Sequence, residues 1–185
     1  MPTMTKDGAR RANIELKARC PDRELAIKTC ERLGARFVHS ERQRDTYFST
    51  GAYRMKLRES SLGKHWMIWY SRPNDVEARK SSYRLLPVAD PTEKRKLFGT
   101  SMGVKAEVEK ARHLYLLGPT RIHIDYVEGL GDFIEFEYVV SENAPEENGH
   151  GAIDELREEF GINDEDLIAG SYSDLVLMGV PAHGD

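Results

Sequence analysis

Residues 53–59 read YRMKLRE, a stretch in which three basic residues alternate with three apolar ones. Side chains two apart along a β-strand share a face, so such a strand has one ionic and one apolar face. The same period of two recurs in RIHID at 121–125, in IEFEY at 134–138 and in IELKAR at 14–19. Some of these ionic rows are cationic and others carry acids. Rows of this kind facing one another inside a barrel would suit a polyanion held together with a divalent metal.

The overall composition excludes several classes of protein. With 185 residues, 31% charged and 39% hydrophobic, the chain suits a soluble globular domain. A net charge of −4 gives no basic signature for a nucleic acid polymer. No stretch approaches the roughly 18 apolar residues that a membrane span needs, and the polar N-terminus is not a signal peptide. We therefore expect a cytoplasmic protein, a monomer or homodimer, that binds a small anionic ligand and no membrane.

The order of predicted elements favours an α+β fold built on a barrel. Turn residues separate short strand-like runs, and these are predicted at 13–20, 37–42, 43–48, 53–59, 66–72, 81–87, 107–116, 120–127 and 132–140. About eight strands with only short helices predict an eight-stranded, mostly antiparallel β-barrel with the helices packed outside. We expect one domain over residues 13–179, with a flexible lead at 1–12 and a tail at 180–185.

Helix starts are marked by local chemistry. Asp22 is a candidate N-cap for a helix that ends at Gly34. The run Asp90-Pro91-Thr92-Glu93 is a capping box with proline at the first helical position. A third helix is predicted at 153–160, and Asn163 and Ser171 are candidate caps of two short final turns.

Basic residues at strand spacing are the first candidate for the chemistry. On any single strand they would most simply form a solvated outer face, but several such rows of like charge repel one another unless an anion neutralises them. Arginine binds phosphate oxygens bidentately, and lysine adds a point charge. The cations concerned are Arg54, Lys56, Arg58, Lys80, Arg84, Lys110, Arg112 and Arg121.

Acidic residues in the same pattern are candidate metal ligands. Glu135 and Glu137 share a strand face about 7 Å apart, while Glu15 shares its face with Lys17, and Asp125 shares its face with basic residues. Carboxylates with water and phosphate oxygens are the ligands that Mg²⁺ and Mn²⁺ prefer, although ion pairs with neighbouring cations are the simpler alternative. His123 is expected to donate to a phosphate or to form an ion pair rather than to bind a metal or act as a base.

Together these motifs resemble the CYTH superfamily, also called triphosphate tunnel metalloenzymes, which includes class IV adenylate cyclases and thiamine triphosphatases. The resemblance spans nearly the whole chain in order, and its most specific part is the run LGDFIEFE at 130–137. Its N-terminal signature, E-x-E-x-K, is matched by Glu15 and Lys17, whereas Asn13 stands where the family usually has glutamate. The other matching segments are 45–48, 54–59, 109–112, 121–125 and 171–175.

The resemblance implies a barrel-like tunnel that binds a triphosphate on basic side chains and one or two metals on acids. By this resemblance Glu15 and Glu135 would be the primary metal ligands, with Glu137 and Asp125 as ligands or in support of them. The phosphates would be held by Lys17, Arg58, Lys80, Arg84, Lys110, Arg112 and Arg121, with Arg54, Lys56 and His123 as further contacts. Catalytic roles would fall to Glu15, Lys17, Lys110, Arg112, Asp125 and Glu135. Because Asn13 brings no charge, the second metal is in question.

Three functions remain open from the sequence. The favoured one is a metal-dependent class IV adenylate cyclase-like enzyme, which converts ATP to cyclic AMP and pyrophosphate with Mg²⁺ or Mn²⁺. The second is a triphosphatase acting on inorganic, thiamine or nucleoside triphosphate in the same tunnel. The third is a non-catalytic module that binds polyphosphate or nucleotide, and Asn13 motivates it because one metal carboxylate is gone while the cations remain.

Overall fold

The computed structural model describes residues 11–51, 53–71 and 73–179, which form a closed barrel with helices outside it. Around the barrel the strand order is β1-β5-β4-β3-β2-β6-β7-β8, and every neighbouring pair is antiparallel. The strands are β1 (Arg11–Arg19), β2 (Arg36–Phe48), β3 (Arg54–Ser60), β4 (His65–Ser71), β5 (Arg79–Val88), β6 (Val104–Leu117), β7 (Thr120–Val127) and β8 (Gly131–Val139). The predicted eight-stranded antiparallel barrel is confirmed.

Four α-helices in the described residues flank the barrel, and they are α1 (Arg23–Arg32), α2 (Pro91–Met102), α3 (Gly149–Glu159) and α4 (Tyr172–Met178). The side chain of Asp22 accepts a hydrogen bond from the Leu25 amide, and that of Asp90 accepts one from the Glu93 amide, as the sequence predicts. Ser171 caps α4 through a capping box with Asp174. None of the described helices combines the length and the apolar character that crossing a membrane requires.

The main hydrophobic core lies outside the barrel, under α1 and α3. Ile14, Ile122 and Phe136 are fully buried there with Ile153 of α3. Gly149, the first residue of α3, lies directly against β1. No larger residue fits there, because a Cβ atom at this position would lie 2.6 Å from the side chain of Ile14. This outward packing leaves the opposite faces of the same strands, which carry the charged residues, pointing into the barrel.

Some predicted boundaries differ from the structure. The two predicted runs at 37–42 and 43–48 form a single strand, β2, with a register shift between Phe37 and His39. β1 begins at Arg11, two residues inside the predicted lead. Residues 1–10 and the predicted tail at 180–185 lie outside the described residues.

Candidate functional site: a charged cavity inside the barrel

The barrel encloses a central cavity of about 630 Å³, to which all eight strands contribute side chains. Acidic and basic residues both line it. The basic ones are Lys17, Lys56, Arg58, Lys64, Lys110, Arg112 and Arg121, and the acidic ones are Glu15, Glu41, Glu135 and Glu137. Seven Lys or Arg side chains against four Glu side chains leave an excess of three positive charges on the described lining, and Asp45 and Asp125, buried directly behind it, offset two of them. The cavity therefore suits an anion carrying several negative charges.

One end of the cavity, here called the deep end, is closed by Tyr172 at the start of α4. Its hydroxyl donates a hydrogen bond to Asp125 Oδ2 at 2.8 Å, and Lys17 Nζ lies 3.9 Å from the centre of its ring. Tyr172 is 3% exposed, whereas Leu62 in the β3–β4 turn, which lines the opposite end, is 50% exposed. That opposite end is here called the open end.

Asp45 of β2 organises three cations at the deep end. Its carboxylate accepts hydrogen bonds from Arg58 Nε and Nη2, both at 2.7 Å, and from Lys56 Nζ at 2.8 Å. Lys110 Nζ lies 3.9 Å from the same carboxylate. Burial alone would raise the pKa of Asp45, but Arg58 and Lys56 hold it well below its usual range. Burial and the nearby Arg58 lower the pKa of Lys56 to about 8.

A second set of ion pairs crosses β6, β7, β8 and β1. Arg112 donates to both oxygens of Asp125 at 2.6 Å and to Glu135 Oε2 at 3.0 Å, while Lys17 Nζ lies 2.9 Å from Glu135 Oε1. Asp125 is fully buried and also receives the Tyr172 hydroxyl, so its oxygens are engaged in holding Arg112. This arrangement fits a positioning role for Asp125 better than the role of metal ligand that the resemblance allowed.

The described residues contain one group of three side chains suited to a cation, formed by His123, Glu135 and Glu137. Their ligand atoms lie within 4.8 Å of one another. Burial would raise the pKa of Glu135, but Lys17 and the nearby His123 and Arg112 hold it well below its usual range. Burial and Arg112 lower the pKa of His123, which favours the neutral imidazole that binds metals. His123 Nδ1 is buried without a hydrogen bond of normal length, since its nearest carboxylate oxygen, on Glu135, is 3.6 Å away.

These residues fit Mg²⁺ or Mn²⁺ chemically, because two ionised carboxylates and one neutral imidazole converge on the cavity. Glu15 also lines the cavity, opposite Glu137 in the β1–β8 register, but its carboxylate lies 3.6 Å from Arg79 Nε and is outside the group of three. His123, which we expected to donate to a phosphate or to form an ion pair, is the third member of that group. Asn13 lies two residues before Glu15 on the same face of β1 and also lines the cavity.

Two predicted phosphate contacts lie outside the barrel. The cavity-facing residues of β5 are Ser81, Tyr83 and Leu85, so the alternate residues Lys80 and Arg84 point outward and are exposed. Lys80 Nζ lies 2.6 Å from the carboxylate of Glu146, outside the cavity. The prediction was wrong for both residues because alternation shows which side chains share a face but not which face turns inward.

Arg54 lies beyond the deep end rather than in the central cavity. It lines a second cavity of about 470 Å³ together with Lys105 and Asp174, and its Nη1 lies 3.7 Å from Asp174 Oδ2. The other predicted residues do face the central cavity or, like Asp125, sit directly behind its lining. Those in the lining are Glu15, Lys17, Lys56, Arg58, Lys110, Arg112, Arg121, His123, Glu135 and Glu137.

Sequence reasoning gave no role to several residues that shape the cavity. The row His39, Glu41, Gln43, Asp45 and Tyr47 follows the same period of two along β2, but dividing this strand into two runs concealed it. Tyr172 and Trp66 also line the cavity, and neither residue was assigned a role from the sequence.

Comparison with known proteins shows the same fold in proteins described as adenylate cyclases. A Methanocaldococcus jannaschii protein, provisionally named an adenylate cyclase, is 23% identical over 169 residues, 88% of this chain and 97% of its own length. A structure from Pyrococcus horikoshii is 27% identical with a TM-score of 0.77, and the match covers 88% of this chain and 98% of that one.

A Hippeastrum protein, provisionally called an adenylyl cyclase and reported to have a dominant triphosphatase activity, is 16% identical with a TM-score of 0.65. This match covers 91% of this chain and 96% of that one. The family model of the CYTH domain matches residues 11–172, from the first residue of β1 to the tyrosine that closes the deep end. The chain therefore belongs to the CYTH domain family.

Proposed function

We propose that this protein binds a nucleoside triphosphate with its phosphates toward Tyr172 and, with Mg²⁺ or Mn²⁺, converts ATP to cyclic AMP and pyrophosphate. The observation that carries the proposal is that three kinds of side chain share one cavity. Lys56, Arg58 and Lys110 surround Asp45, and the His123, Glu135 and Glu137 group lies on β7 and β8. Aliphatic and aromatic side chains complete the lining.

The deep end supports binding of the terminal phosphates. Lys17 and Lys110 are almost fully buried, with side chains 5% and 1% exposed, so a phosphate that reaches them meets cations poorly screened by water. Arg58 and Arg112 present planar guanidinium groups that can bind two phosphate oxygens each. A triphosphate carries about four negative charges, which the cationic excess of the lining and a bound divalent ion would together offset.

The open end supports binding of the nucleoside. Leu62 is exposed at this end, and Trp66, Leu85 and Leu114 line the same cavity. Aromatic and aliphatic side chains of this kind provide a surface for a planar base, and no phosphate-binding chemistry is needed there. An ATP molecule bound phosphates first would therefore have its α-phosphate near the carboxylate group and its ribose toward the opening.

In the cyclase reaction the ribose 3′-hydroxyl attacks the α-phosphorus in line, and pyrophosphate leaves. A divalent ion at Glu135, Glu137 and His123 would supply charge neutralisation and polarisation of the α-phosphate. Arg112 and Lys110 would stabilise the charge that develops on the leaving pyrophosphate, since both are held in place by Asp125. Positioning and electrostatics do most of the work in phosphoryl chemistry of this kind.

A triphosphatase activity is the second candidate, and a specific observation favours it. The Hippeastrum protein of the same fold is reported to have a dominant triphosphatase activity. Hydrolysis would use the same Lys and Arg side chains of the cavity, and a water molecule would attack the terminal phosphorus. It would require the metal-binding group to meet the terminal rather than the α-phosphate, so the direction in which the substrate lies separates the two activities.

The deciding experiment is incubation of the protein with ATP, inorganic triphosphate and thiamine triphosphate, each with Mg²⁺ or Mn²⁺. Chromatography would resolve cyclic AMP, pyrophosphate and phosphate. Cyclic AMP with an equal amount of pyrophosphate supports the cyclase, whereas ADP and phosphate support the triphosphatase. Tight binding of ATP with no product from any substrate would instead favour a non-catalytic binding module.

A further inference from the structure

A histidine–carboxylate pair lies in the central cavity apart from the metal-binding group. His39 Nε2 is 3.3 Å from Glu41 Oε1, and both residues belong to the inward face of β2. The His39 side chain is 30% exposed and can meet a ligand, whereas that of Glu41 is only 10% exposed. Among the described residues that line the cavity, the histidines are His39 and His123.

Glu41 is fixed in place by hydrogen bonds from three side chains. Gln43 Nε2 donates to Oε1 at 2.7 Å, and the Ser60 hydroxyl donates to Oε2. Burial alone would raise the pKa of Glu41, but the hydrogen bonds from Ser60, Gln43 and His39 lower it, so the carboxylate stays ionised. An ionised carboxylate next to Nε2 favours the imidazole tautomer with its proton there, which leaves the Nδ1 lone pair able to accept a proton.

The strand register places this pair two strands away from the metal-binding group. His39 pairs with Leu114 across β2 and β6, and Leu114 pairs with His123 across β6 and β7. The two histidines are therefore two strand spacings apart, about 10 Å between their backbones, and both side chains project into the cavity. A ribose between a phosphate at His123 and the imidazole of His39 would fill this gap.

The charged groups around His39 come from several elements. On its own strand it faces Glu41, and Lys64 of the β3–β4 turn lines the same cavity. On β6 its register partner is Leu114, and Arg112 lies next along that face opposite Glu41. On β7 the groups that line the cavity are His123 and Arg121, and on β3 Arg58 does so. Glu41 is the anion in hydrogen-bond contact with the imidazole and orients it.

We infer that His39 is the general base of the reaction and that Glu41 is its positioning residue, an inference that rests on the proposed cyclase function. The O–H bond of the ribose 3′-hydroxyl breaks and its proton passes to His39 Nδ1. The 3′-oxygen forms a bond to the α-phosphorus, and the bond from the α-phosphorus to the bridging oxygen breaks. Pyrophosphate leaves with that electron pair, and His39 later returns the proton to solvent.

The first test compares His39→Gln and His39→Ala with His150→Gln, which changes an exposed histidine on α3 outside the barrel. Loss of a general base lowers turnover by about 10²–10⁴-fold, so we expect this loss of cyclic AMP formation in both His39 variants with ATP affinity retained. Added imidazole should restore part of the turnover of His39→Ala and none of that of Glu135→Gln. His150→Gln should match the wild type.

The second test is the pH profile of kcat. A general base accepts a proton only in its unprotonated form, so we expect wild-type turnover to fall on the acid side of its pH profile. This acid limb should be absent from His39→Gln. Glu41→Gln should lower kcat and leave KM for ATP unchanged, because the imidazole loses the carboxylate that orients it; a purely structural residue would change KM as well.

Several outcomes would overturn the inference. Turnover in His39→Gln at the wild-type rate, an unchanged pH profile, or loss of ATP binding in place of turnover would each exclude His39 as the base. Failure of imidazole to rescue His39→Ala would do the same. If the wild-type protein forms no cyclic AMP from ATP, the proposed function fails and this inference fails with it, whereas wild-type turnover that survives in His39→Gln overturns the inference alone.

Discussion

The substitution Asp45→Asn tests whether buried carboxylates hold the cationic lining together. Asp45 is fully buried and contacts Lys56 and Arg58 directly, with Lys110 close by. Removing one partner of a buried ion pair costs about 3–5 kcal/mol, because the remaining charge is left uncompensated. Lys56 and Arg58 keep side-chain exposures of 14% and 17%, so water relieves part of this cost and the lower end, about 3 kcal/mol, is expected.

Thermal unfolding followed by circular dichroism measures this effect. For a chain of this size a loss of about 3 kcal/mol corresponds to a fall in Tm of roughly 6–12 °C. The control is Glu107→Gln, which removes an exposed partner of Arg44 and should cost no more than about 1 kcal/mol. Inorganic triphosphate should raise the Tm of Asp45→Asn more than that of the wild type, because it supplies the missing negative charge.

A Tm for Asp45→Asn equal to that of Glu107→Gln would refute this reasoning. So would a triphosphate-induced shift no larger than in the wild-type protein, since the missing charge would then not be the cause of the loss. An exposed cluster would give both results. The test therefore distinguishes a buried ionic lining from a set of solvated surface charges.

Three further predictions concern the metal, the phosphates and pH. Glu135→Gln should weaken Mn²⁺ binding in calorimetry by about 10–100-fold or more, while Glu147→Gln, an exposed change outside the cavity, should leave it unchanged; equal affinities would exclude Glu135 as a ligand. Affinity should climb steeply from AMP to ADP to ATP, since each added phosphate gains charge-assisted hydrogen bonds worth about 1.5–3 kcal/mol each before desolvation, and a flat series would contradict binding along the cavity. Because the pKa of Lys56 is about 8, this side chain is charged below that pH and neutral above it, so triphosphate affinity should fall as the pH rises through 8. In Lys56→Arg it should stay level, and a parallel fall in both proteins would assign the titration to another group.

Much of the barrel could be predicted from local patterns in the sequence. β7 spans Thr120–Val127 as predicted, because its alternation is regular and a turn at Gly118-Pro119 precedes it. β2 was divided because its outer half carries polar residues on both faces, with His39 and Glu41 inward and Ser40 and Arg42 outward. A strand that is polar on both faces lacks the hydrophobic alternation by which strands are recognised.

Which face of each strand turns into the cavity could not be predicted as reliably. On β3 the cations Lys56 and Arg58 turn inward, and on β5 the cations Lys80 and Arg84 turn outward, although both rows have the same period. The difference lies in the opposite face. On β3 that face is Met55 and Leu57, which are buried in a hydrophobic cluster, whereas β5 turns Ser81 and Tyr83 into the cavity. An apolar alternate face is thus the better indicator of an inward ionic row.

The partners of the cations were also beyond sequence reasoning, because they come from other strands. Lys56 and Arg58 of β3 share Asp45 of β2, and Arg112 of β6 is held by Asp125 of β7. These pairs form only when the barrel closes. A row of side chains that is purely cationic on one strand then lies beside carboxylates of the neighbouring strand. A bound phosphate chain must then compete with the carboxylates for the same donors, which favours ligands with enough charge to replace several contacts at once.

Asn13 bears directly on this competition between phosphate and carboxylate. It lines the cavity on the same face of β1 as Glu15, and its side-chain oxygen lies 3.4 Å from the Tyr83 hydroxyl. A glutamate at this position would reduce the positive excess of the lining from three charges to two and would add a charged oxygen ligand near the metal-binding group. With asparagine the cavity keeps more attraction for a triphosphate but gives less charge to hold a second ion. On the proposed function we therefore expect one metal at His123, Glu135 and Glu137, with the bound phosphates supplying the remaining negative charge.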